Sequence, residues 1–406
     1  MRITEVNAFF LSCPLPAPLR LTFHGGERTI FKRDAGLVRL ATDRGLIGFG
    51  PLPASEEVVN HVNGPIRDAL VGSDPARTDA IRDRLADSMG LAFGAVEIAL
   101  YDLRGKIEGC PIHALLGGKV RNRLRLYGSA GMYQSPAGYA AEAAAVAALG
   151  FTAYKMRPGI GPDADVDAVR RIREAVGSSF GVMVDAHTWW RMGDRSYQPD
   201  EIERLARAMA SSRITWLEEP LPPEDRDGYI RLRRAGAVPI AAGEHETSLQ
   251  GFDDIIRRGA VDIVQADVVH HGGYSAVRQV LTRCAAQQRP FAFHSWGTLL
   301  EVIANAHLGV CFPESVCAWL EYPCYRHRGQ PILYPYPLAD DILCDPLALD
   351  GSDLIVPDRA GLGVDVDESV MQRYPHIPGP WSVYRLLEPP GEWAMSGDHA
   401  AGWTAR

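Results

Sequence analysis

The sequence lacks the features that would place the protein in a membrane, on a nucleic acid or in a disulfide scaffold. No run approaches eighteen consecutive apolar residues, and the start, MRITEVNAFFLSCPLPAP, has no basic segment followed by a long apolar stretch. The net charge is -8, with acidic and basic residues interspersed and no basic patch. The seven cysteines are scattered and contain no C-x-x-C pair. These absences predict a soluble, cytoplasmic protein with reduced thiols and with no nucleic-acid or membrane partner.

The hydrophobic pattern divides the chain into two parts. Positions 36–49 alternate apolar and polar side chains around an Asp-Arg-Gly turn, which predicts a β-hairpin. A helical pattern follows over 55–115 and stops at Gly117 and Gly118. The chain has 406 residues, more than one ordinary domain needs. We therefore predict an α+β unit at the N-terminus and a second folding unit after it.

Eight short apolar runs alternate with amphipathic helical patterns after this first unit. The runs lie at 125–130, 152–157, 181–187, 215–220, 239–246, 262–269, 290–296 and 317–322. The helical patterns between them include 163–176, 199–210, 248–258 and 273–288. Strands that alternate with helices form a parallel sheet, and eight of them close it, so the predicted fold class is α/β with a (β/α)8 (TIM-like) barrel. An open doubly wound sheet is the alternative, but no run is followed by G-x-G-x-x-G.

Charged and imidazole side chains stand where most of these strands end. They are Lys155, Arg157, Asp185, His187, Glu218, Glu244, Asp267, His294 and Glu321. One such residue is compatible with a solvated or helix-capping group. The carboxyl ends of all strands of a (β/α)8 barrel meet on one face, where catalytic sites lie. The succession therefore predicts one active site at that face.

Three carboxylates from successive strands predict a metal site. Asp185, Glu218 and Glu244 offer only oxygen donors, and they would repel one another unless a cation lay among them. Hard oxygen donors that leave room for water and substrate favour Mg²⁺ over zinc. Helix caps or salt bridges are the structural alternative for these three residues.

The remaining residues at the strand ends predict proton transfer on an acid substrate. Asp267 and His294 end adjacent strands, so the carboxylate can orient the imidazole and raise its basicity, and His187 can serve as a second acid or base or pack at the rim. Lys155 and Arg157 point to the same face of their strand. With the metal they form a positive clamp for a substrate carboxylate, whose α-hydrogen can then be removed to leave an enediolate.

These residues and several motifs resemble the enolase superfamily, mandelate racemase subgroup, over about residues 1–370. The motifs are AVEIALYDLRGKIEGCPIHALLGG (95–118), LEEP (217–220), GEHE (243–246) and VPDRAGLGVDVDE (356–368). The resemblance implies Mg²⁺ on Asp185, Glu218 and Glu244, a catalytic dyad of His294 and Asp267, and a hydrogen bond from Glu321 to the substrate carboxylate. It also implies a homo-oligomer.

One departure from the subgroup's pattern bears on the reaction. Members with bases on both faces of the substrate carry Lys-x-Lys after the second strand, and here the second position is Arg157. An arginine cannot release its proton, which disfavours racemisation. The D-x-H at 185–187 and the GEHE motif resemble the acid-sugar dehydratases of the subgroup. The resemblance therefore implies Mg²⁺-dependent dehydration of a small-molecule sugar acid (aldonate or aldarate) to a 2-keto-3-deoxy acid through an enediolate.

The resemblance also assigns the domains. We expect an N-terminal α+β capping domain at 1–121, the barrel at 122–335, and a C-terminal segment at 336–406 that returns to the capping domain and ends in a variable tail. A loop at 20–29 would close over the barrel mouth, where Arg20, His24 and Arg28 could contact the far end of the substrate or be solvated charges of the loop.

Three other functions stay open. A racemase, epimerase or cycloisomerase on the same scaffold would use Lys155 as its second base. A zinc amidohydrolase on a similar barrel would need His-x-His after the first strand, and RLYGSA at 125–130 contains no histidine. A catalytically silent protein that only binds sugar acids is the third.

Overall fold

The N-terminal part of the chain builds an antiparallel sheet. The computed structural model describes residues 1–327, 330–331 and 334–396. Strand Ile3–Phe23 pairs along most of its length with Gly26–Thr42, which pairs in turn with Ile47–Leu52. The hairpin predicted at 36–49 is present. The prediction of a loop at 20–29 is wrong. Phe23 pairs with Gly26, so only a two-residue turn lies between the two strands.

Helices cover one side of this sheet. They span Glu56–His61, Arg67–Leu70, Thr78–Glu108 and Ile112–Leu115, with a short π-helix at Val62–Ile66. The long helix ends at Gly109, whose left-handed backbone (φ 68°) suits glycine. The predicted helical stretch is therefore broken into several helices.

Eight parallel strands within the described ranges close into a barrel. They are Arg123–Met132, Ala153–Arg157, Gly181–Asp185, Trp216–Glu218, Ile240–Ala242, Ile263–Ala266, Phe291–Phe293 and Cys317–Pro323. Each strand pairs with the next, and the last pairs with the first through Trp319 and Arg125. The predicted barrel and its α+β N-terminal partner are confirmed.

Helices surround the barrel. They span Pro136–Ala148, Pro162–Val176, Pro199–Met209, Arg226–Ala235, Leu249–Arg258, Gly273–Ala286 and Leu299–Gly309. Within the described ranges, no helix has both the length and the apolar content needed to cross a bilayer.

A small apolar cluster, separate from the main core, explains where the strand-end residues point. It consists of Tyr127, Ala153, Met183, Trp216, Ala241 and Ala292, which come from six of the eight strands. We place this cluster inside the barrel. Lys155, Asp185, Glu218 and His294 each follow one of these residues by two positions. Because strand side chains alternate, these four side chains also point inward, one layer closer to the carboxyl-terminal mouth.

The chain finally returns to the N-terminal sheet. Strands Ser382–Leu387 and Pro390–Met395 form the C-terminal hairpin, and its first strand pairs antiparallel with Gly26–Ile30. A short strand, Asp353–Ile355, pairs antiparallel with the first barrel strand, and Leu349–Asp350 pairs with Asp353–Ile355.

Candidate active site

Lys155 lies among three buried carboxylates at the carboxyl-terminal mouth of the barrel. Its Nζ is 2.7 Å from Oε1 of Glu218, 3.0 Å from Oε1 of Glu321 and 3.5 Å from Oδ2 of Asp185. The lysine side chain has no exposed surface. Burial favours the neutral amine, but Glu218 and Glu321 outweigh it and raise the pKa of Lys155 well above its usual value. The lysine is therefore an ammonium in this arrangement.

Arg157 contacts two of the same carboxylates. Its Nε is 3.2 Å from Oδ2 of Asp185, and its Nη2 is 3.3 Å from Oε1 of Glu321. Its Nη1 donates to the carbonyl oxygen of Ala130 at 3.0 Å. The two cations predicted to share one face of their strand do so, and the anions around them in this structure belong to the protein itself.

Asp185 and Glu244 come together with His187, which was predicted as a second acid or base or as a rim residue. Nδ1 of His187 is 2.7 Å from Oδ1 of Asp185 and 3.8 Å from Oε1 of Glu244. One ligand atom from each of the three lies within 4.8 Å of the others, so they could hold a metal ion. Glu218, the third predicted ligand, contacts Lys155 and accepts a hydrogen bond from Nε1 of Trp216 at 2.8 Å.

The electrostatics of this cluster fit a hard cation. Burial raises the pKa of Glu244 well above its usual range, and the charges of Asp185, Glu219 and Glu218 raise it further. Oδ2 of Asp185 is buried without a hydrogen-bond donor among the described residues, although both cations lie within 3.5 Å. Carboxylate oxygens that repel one another and lack donors are suited to Mg²⁺.

Asp267 holds His294 from the neighbouring strand. Its Oδ2 is 2.8 Å from Nδ1 of His294, and its Oδ1 accepts from the backbone N–H groups of Val269 and His270. The side chain of His270 shares the carboxylate, with Nδ1 3.0 Å from Oδ1. The predicted pairing of Asp267 with His294 is therefore present, with a second imidazole that the sequence analysis missed.

Glu244 lies between the two candidate acid–base residues. Nε2 of His294 is 3.5 Å from its Oε2, and Nδ1 of His187 is 3.8 Å from its Oε1. Burial lowers the pKa of His187 to about 4, although Asp185 opposes the shift. Burial acts in the same direction on His294, but the Asp267 hydrogen bond and the charge of Glu321 outweigh it and raise the pKa of that imidazole. The two histidines therefore differ in acid strength.

The structure also brings Glu219 and His245 to the site. The two side chains contact each other through Oε2 and Nδ1, and Nδ1 of His245 is 3.3 Å from Oε1 of Glu244. Glu219, His245 and Glu244 form a second group able to hold a metal ion. Both residues directly follow a predicted ligand in the sequence, and this adjacency is the signal that could have found them.

Glu321 completes the site from the last barrel strand. Its Oε1 contacts both cations, and its Oε2 accepts from the backbone N–H of Ser295 at 3.1 Å. Burial alone would raise its pKa, but Lys155 and His294 outweigh that effect and lower it. The nine predicted residues thus lie around one barrel mouth, and their individual roles stay predictions.

Comparisons with known families cover most of the chain. Residues 138–370 match the enolase C-terminal domain-like family, and residues 6–117 match the N-terminal domain of mandelate racemase and muconate lactonizing enzyme. Both matches end before the C-terminal hairpin.

Relatives with named activities extend over nearly the whole chain. A D-galactarolactone cycloisomerase from Agrobacterium fabrum is 28% identical, across 94% of this chain and 100% of its own. A D-galactonate dehydratase from Xanthomonas euvesicatoria pv. vesicatoria is 27% identical, across 89% of this chain and 94% of its own. The crystal structure of a racemase from Streptomyces coelicolor A3(2) with bound magnesium superposes with a TM-score of 0.77 and 26% identity, across 92% of this chain and 99% of its own.

Proposed function

The chain belongs to the enolase superfamily, mandelate racemase subgroup, and on that premise we propose that it dehydrates a sugar acid with Mg²⁺ as cofactor. The substrate class is an aldonate or aldarate, and the product is the 2-keto-3-deoxy acid. The observation that carries this proposal is the placement of one imidazole beside each oxygen of Glu244. Removal of water needs a base for the α-proton and an acid for the departing hydroxide, and His294 and His187 supply that pair.

The reaction balances without any redox partner. Removal of the proton from C2 leaves its bonding pair in an enediolate. That pair then forms the C2–C3 double bond while the C3–O bond breaks, and the hydroxide leaves as water after it receives a proton. The resulting enol takes a proton at C3 and becomes the 2-keto acid. The substrate therefore loses one molecule of water and exchanges no electrons with a cofactor.

The cofactor would be held by carboxylates at the barrel mouth. We propose Asp185, Glu218 and Glu244 as its ligands. Glu219, the carboxylate next to Glu218 in the sequence, is the residue against which the assignment of Glu218 can be compared. When bound, Mg²⁺ supplies positive charge that stabilises the substrate carboxylate and the enediolate.

The two histidines take different roles because their partners differ. Asp267 is no proposed metal ligand, so a cation would not share its charge, and the Asp267 oxygen beside His294 can stabilise the imidazolium that forms when His294 accepts the α-proton. Asp185 would share its charge with the cation, which leaves His187 the weaker base and the stronger acid. Lys155, Arg157 and Glu321 would position the carboxylate end of the substrate.

One experiment tests the reaction and the roles together. Purified protein with MgCl2 is screened against mono- and diacid sugars for keto acid formation, with a chelator control. With the substrate so identified, His294→Asn should abolish both α-proton exchange with deuterated solvent and keto acid formation. His187→Asn should retain exchange and lose keto acid formation. Near-normal turnover in His294→Asn would refute the assignment.

A cycloisomerase, racemase or epimerase is the second candidate, and the 28% identical cycloisomerase favours it. A cycloisomerase or racemase leaves the mass of the substrate unchanged, whereas dehydration removes one water molecule from it, so mass spectrometry separates the two. Racemisation would use Lys155 as second base and would exchange the α-proton of both enantiomers. Arg157 argues against racemisation, because subgroup members with two bases carry a lysine at this position as a proton carrier, and an arginine cannot release its proton.

The remaining parts of the proposal have simple checks. A silent sugar-acid binder would show a higher melting temperature with a sugar acid but would consume none. The predicted homo-oligomer is measured by light scattering at working concentration. The predicted cytoplasmic location is measured by cell fractionation.

A further inference from the structure

The C-terminal hairpin is an addition to the part of the chain that the family matches cover. The barrel match ends at residue 370, whereas the hairpin runs from Ser382 to Met395. It extends the N-terminal sheet by two strands, and its residues Ser382, Tyr384 and Met395 are buried. Its turn, at Glu388 and Pro389, projects from this sheet toward the barrel.

The turn of the hairpin contacts the loop that carries His187. We call residues 186–197, between the third barrel strand and its helix, the His187 loop. The backbone N–H of Asp194 donates to the carbonyl oxygen of Glu388 at 2.8 Å, and the guanidinium of Arg195 holds the Glu388 carboxylate with two bonds of 3.0 and 3.1 Å. On its other side, the turn donates from the N–H of Leu387 to the carbonyl oxygen of Gly25 at 2.9 Å. The hairpin is therefore bonded to both the N-terminal sheet and the His187 loop.

Two glycines allow the three backbones to meet. A Cβ on Gly193 would overlap the carbonyl oxygen of Glu388, and the residue also has a left-handed backbone, with φ 61°. A Cβ on Gly25 would lie 2.7 Å from the carbonyl oxygen of Met192 and 2.5 Å from its Cβ. Only a residue without a side chain fits at either point. The contact is thus a close backbone-to-backbone fit.

Buried side-chain contacts connect Tyr384 of the hairpin to Thr188, the residue that follows His187. The Tyr384 hydroxyl interacts with that of Tyr133, and the Tyr133 hydroxyl lies 3.1 Å from Oγ1 of Thr188. Tyr384 is held from behind by a parallel stack on Trp393, with centroids 4.6 Å apart, and by the guanidinium of Arg28 at 4.7 Å from its ring. This path connects the hairpin to the backbone neighbour of His187 within the protein interior.

The opposite side of the His187 loop is fastened to the barrel. Oδ2 of Asp165 accepts from Nε1 of Trp189 at 3.0 Å and from the Tyr197 hydroxyl at 2.9 Å. These bonds fix the barrel side of the loop. The side that faces the N-terminal sheet makes the hairpin contacts described above. The two sets of contacts together determine where the loop holds His187.

From these contacts we infer that the C-terminal hairpin is a positioning element for His187, with Tyr384 and the Glu388 turn as its positioning residues. The inference rests on the proposed function, in which His187 delivers a proton to the departing hydroxide. Loss of the hairpin contacts displaces His187 from that hydroxide, while Asp267 and His294, on other strands, still remove the α-proton. The expected signature is a change in the partition between exchange and dehydration.

The first test separates a displaced loop from general backbone strain. Gly193→Ala inserts a methyl group between the loop and the hairpin turn. Gly351→Ala is the matched control, because Gly351 has nearly the same backbone (φ 62°) and no atom within 4 Å of the place that a Cβ would take. In deuterated solvent, Gly193→Ala should raise the ratio of α-proton exchange to keto acid formation by about fivefold or more, and Gly351→Ala should leave it unchanged.

The second test removes a single hydroxyl from these buried side-chain contacts. Tyr384→Phe keeps the stack on Trp393 and removes the hydroxyl that interacts with that of Tyr133. Tyr374→Phe is the control, because its hydroxyl donates to Asp341, away from the site. Tyr384→Phe should raise the same ratio and lower kcat with little change in KM. A fall of exchange and dehydration in equal proportion would show a merely structural role and overturn the inference, as would an unchanged ratio in both Gly193→Ala and Tyr384→Phe.

A measurement without substrate keeps the two proposals apart. Hydrogen exchange followed by mass spectrometry should show faster uptake in peptides covering 186–197 for both test variants than for both controls. Equal uptake in test and control variants contradicts the positioning role. If the unmodified protein releases no keto acid from any sugar acid, the proposed function fails, and the hydrogen-exchange comparison then decides on the hairpin by itself.

Discussion

The guanidinium of Arg157 lies over the indole ring of Trp296, with Cζ 3.7 Å from the ring centroid. The stack leaves the guanidinium N–H groups directed at Asp185, Glu321 and the carbonyl oxygen of Ala130. A planar guanidinium can lie flat on the ring and donate within its own plane, a geometry that a lysine ammonium does not have. The same guanidinium therefore packs on Trp296 and contacts two carboxylates of the site.

Arg157→Lys restores the Lys-x-Lys pattern of subgroup members with two bases, yet we expect it to lose activity. The lysine cannot keep the stack on Trp296 together with the contacts to both carboxylates. We expect kcat/KM for dehydration to fall about tenfold or more, equivalent to about 1.4 kcal/mol of transition-state stabilisation. Arg123→Lys, at a partly exposed ion pair with Asp350, should leave kcat/KM unchanged. Unchanged kcat/KM in Arg157→Lys would show that charge alone suffices.

Glu218 and Glu219 are adjacent in sequence, but we expect only Glu218 to bind the metal. Glu218→Gln should weaken Mg²⁺ binding by about tenfold or more, because it replaces an anionic ligand by a neutral amide. Glu219→Gln should have a smaller effect, since that carboxylate is engaged by His245 and by the N–H of Gly243. Titration calorimetry measures both affinities. The reverse order would assign the third ligand to Glu219.

Lys155→Met should destabilise the metal-free protein. The change leaves Glu218, Glu321 and Asp185 buried beside one another with one cation fewer, and loss of one partner of a buried pair costs about 3–5 kcal/mol. The melting temperature in a chelator should fall by about 5 °C or more. MgCl2 should raise it further in the variant than in the unmodified protein, because the metal replaces the missing positive charge. Lys119→Met, at a more exposed ion pair with Asp358, is the control. Equal stability of the Lys155 and Lys119 variants in chelator would contradict the prediction.

Glu97 should make the stability of the fold depend on pH. This carboxylate of the long N-terminal helix is buried against barrel helix Gly273–Ala286 and accepts from the backbone N–H of Ser275 at 2.9 Å. Burial raises the pKa of Glu97 to about 7, although the Ser275 hydrogen bonds oppose the shift.

The sign of this effect follows from proton binding. Between pH 4.5, the ordinary value, and pH 7 the folded protein holds a proton on Glu97 that the unfolded chain releases, so folding loses stability as pH rises through this window. The loss is at most about 3 kcal/mol. Glu97→Gln should flatten the melting temperature across the window, relative to Glu108→Gln on an exposed carboxylate of the same helix. Parallel pH profiles for the two variants would contradict the assigned pKa.

Much of the barrel could be predicted because its signals are local. Each strand is a short apolar run, and most of them end in a charged or imidazole residue that is out of place in a core, as at Lys155 and Asp185. Once the barrel is assumed, the two-residue alternation of side chains along each strand places these residues on the inner face. The pairing of Asp267 with His294 follows from the same argument, since the two residues end adjacent strands.

Features that depend on distant contacts could not be predicted in this way. The strand at Ser382–Leu387 pairs with Gly26–Ile30, which is far away in the sequence. The residues of the strand do not indicate which strand it pairs with. The region around Arg28 reads as a loop, but the return of the hairpin buries Arg28 between Trp381 and Tyr384. The shared carboxylates of Lys155, and the contact of Glu219 with His245, likewise depend on distances that only folding sets.

Local patterns are enough to predict that the nine charged and imidazole residues of the strand ends meet at the barrel mouth, because strand periodicity and closure of the sheet direct them to one side. Which of them touch depends on the folded chain. Lys155 is held by Glu218, Glu244 lies between two imidazoles, and a hairpin from the far end of the chain contacts the His187 loop. The two kinds of feature differ in the sequence distance over which they are determined. The alternation of side chains along a strand depends on neighbouring residues, whereas a contact of about 3 Å between side chains depends on the packing of the whole chain.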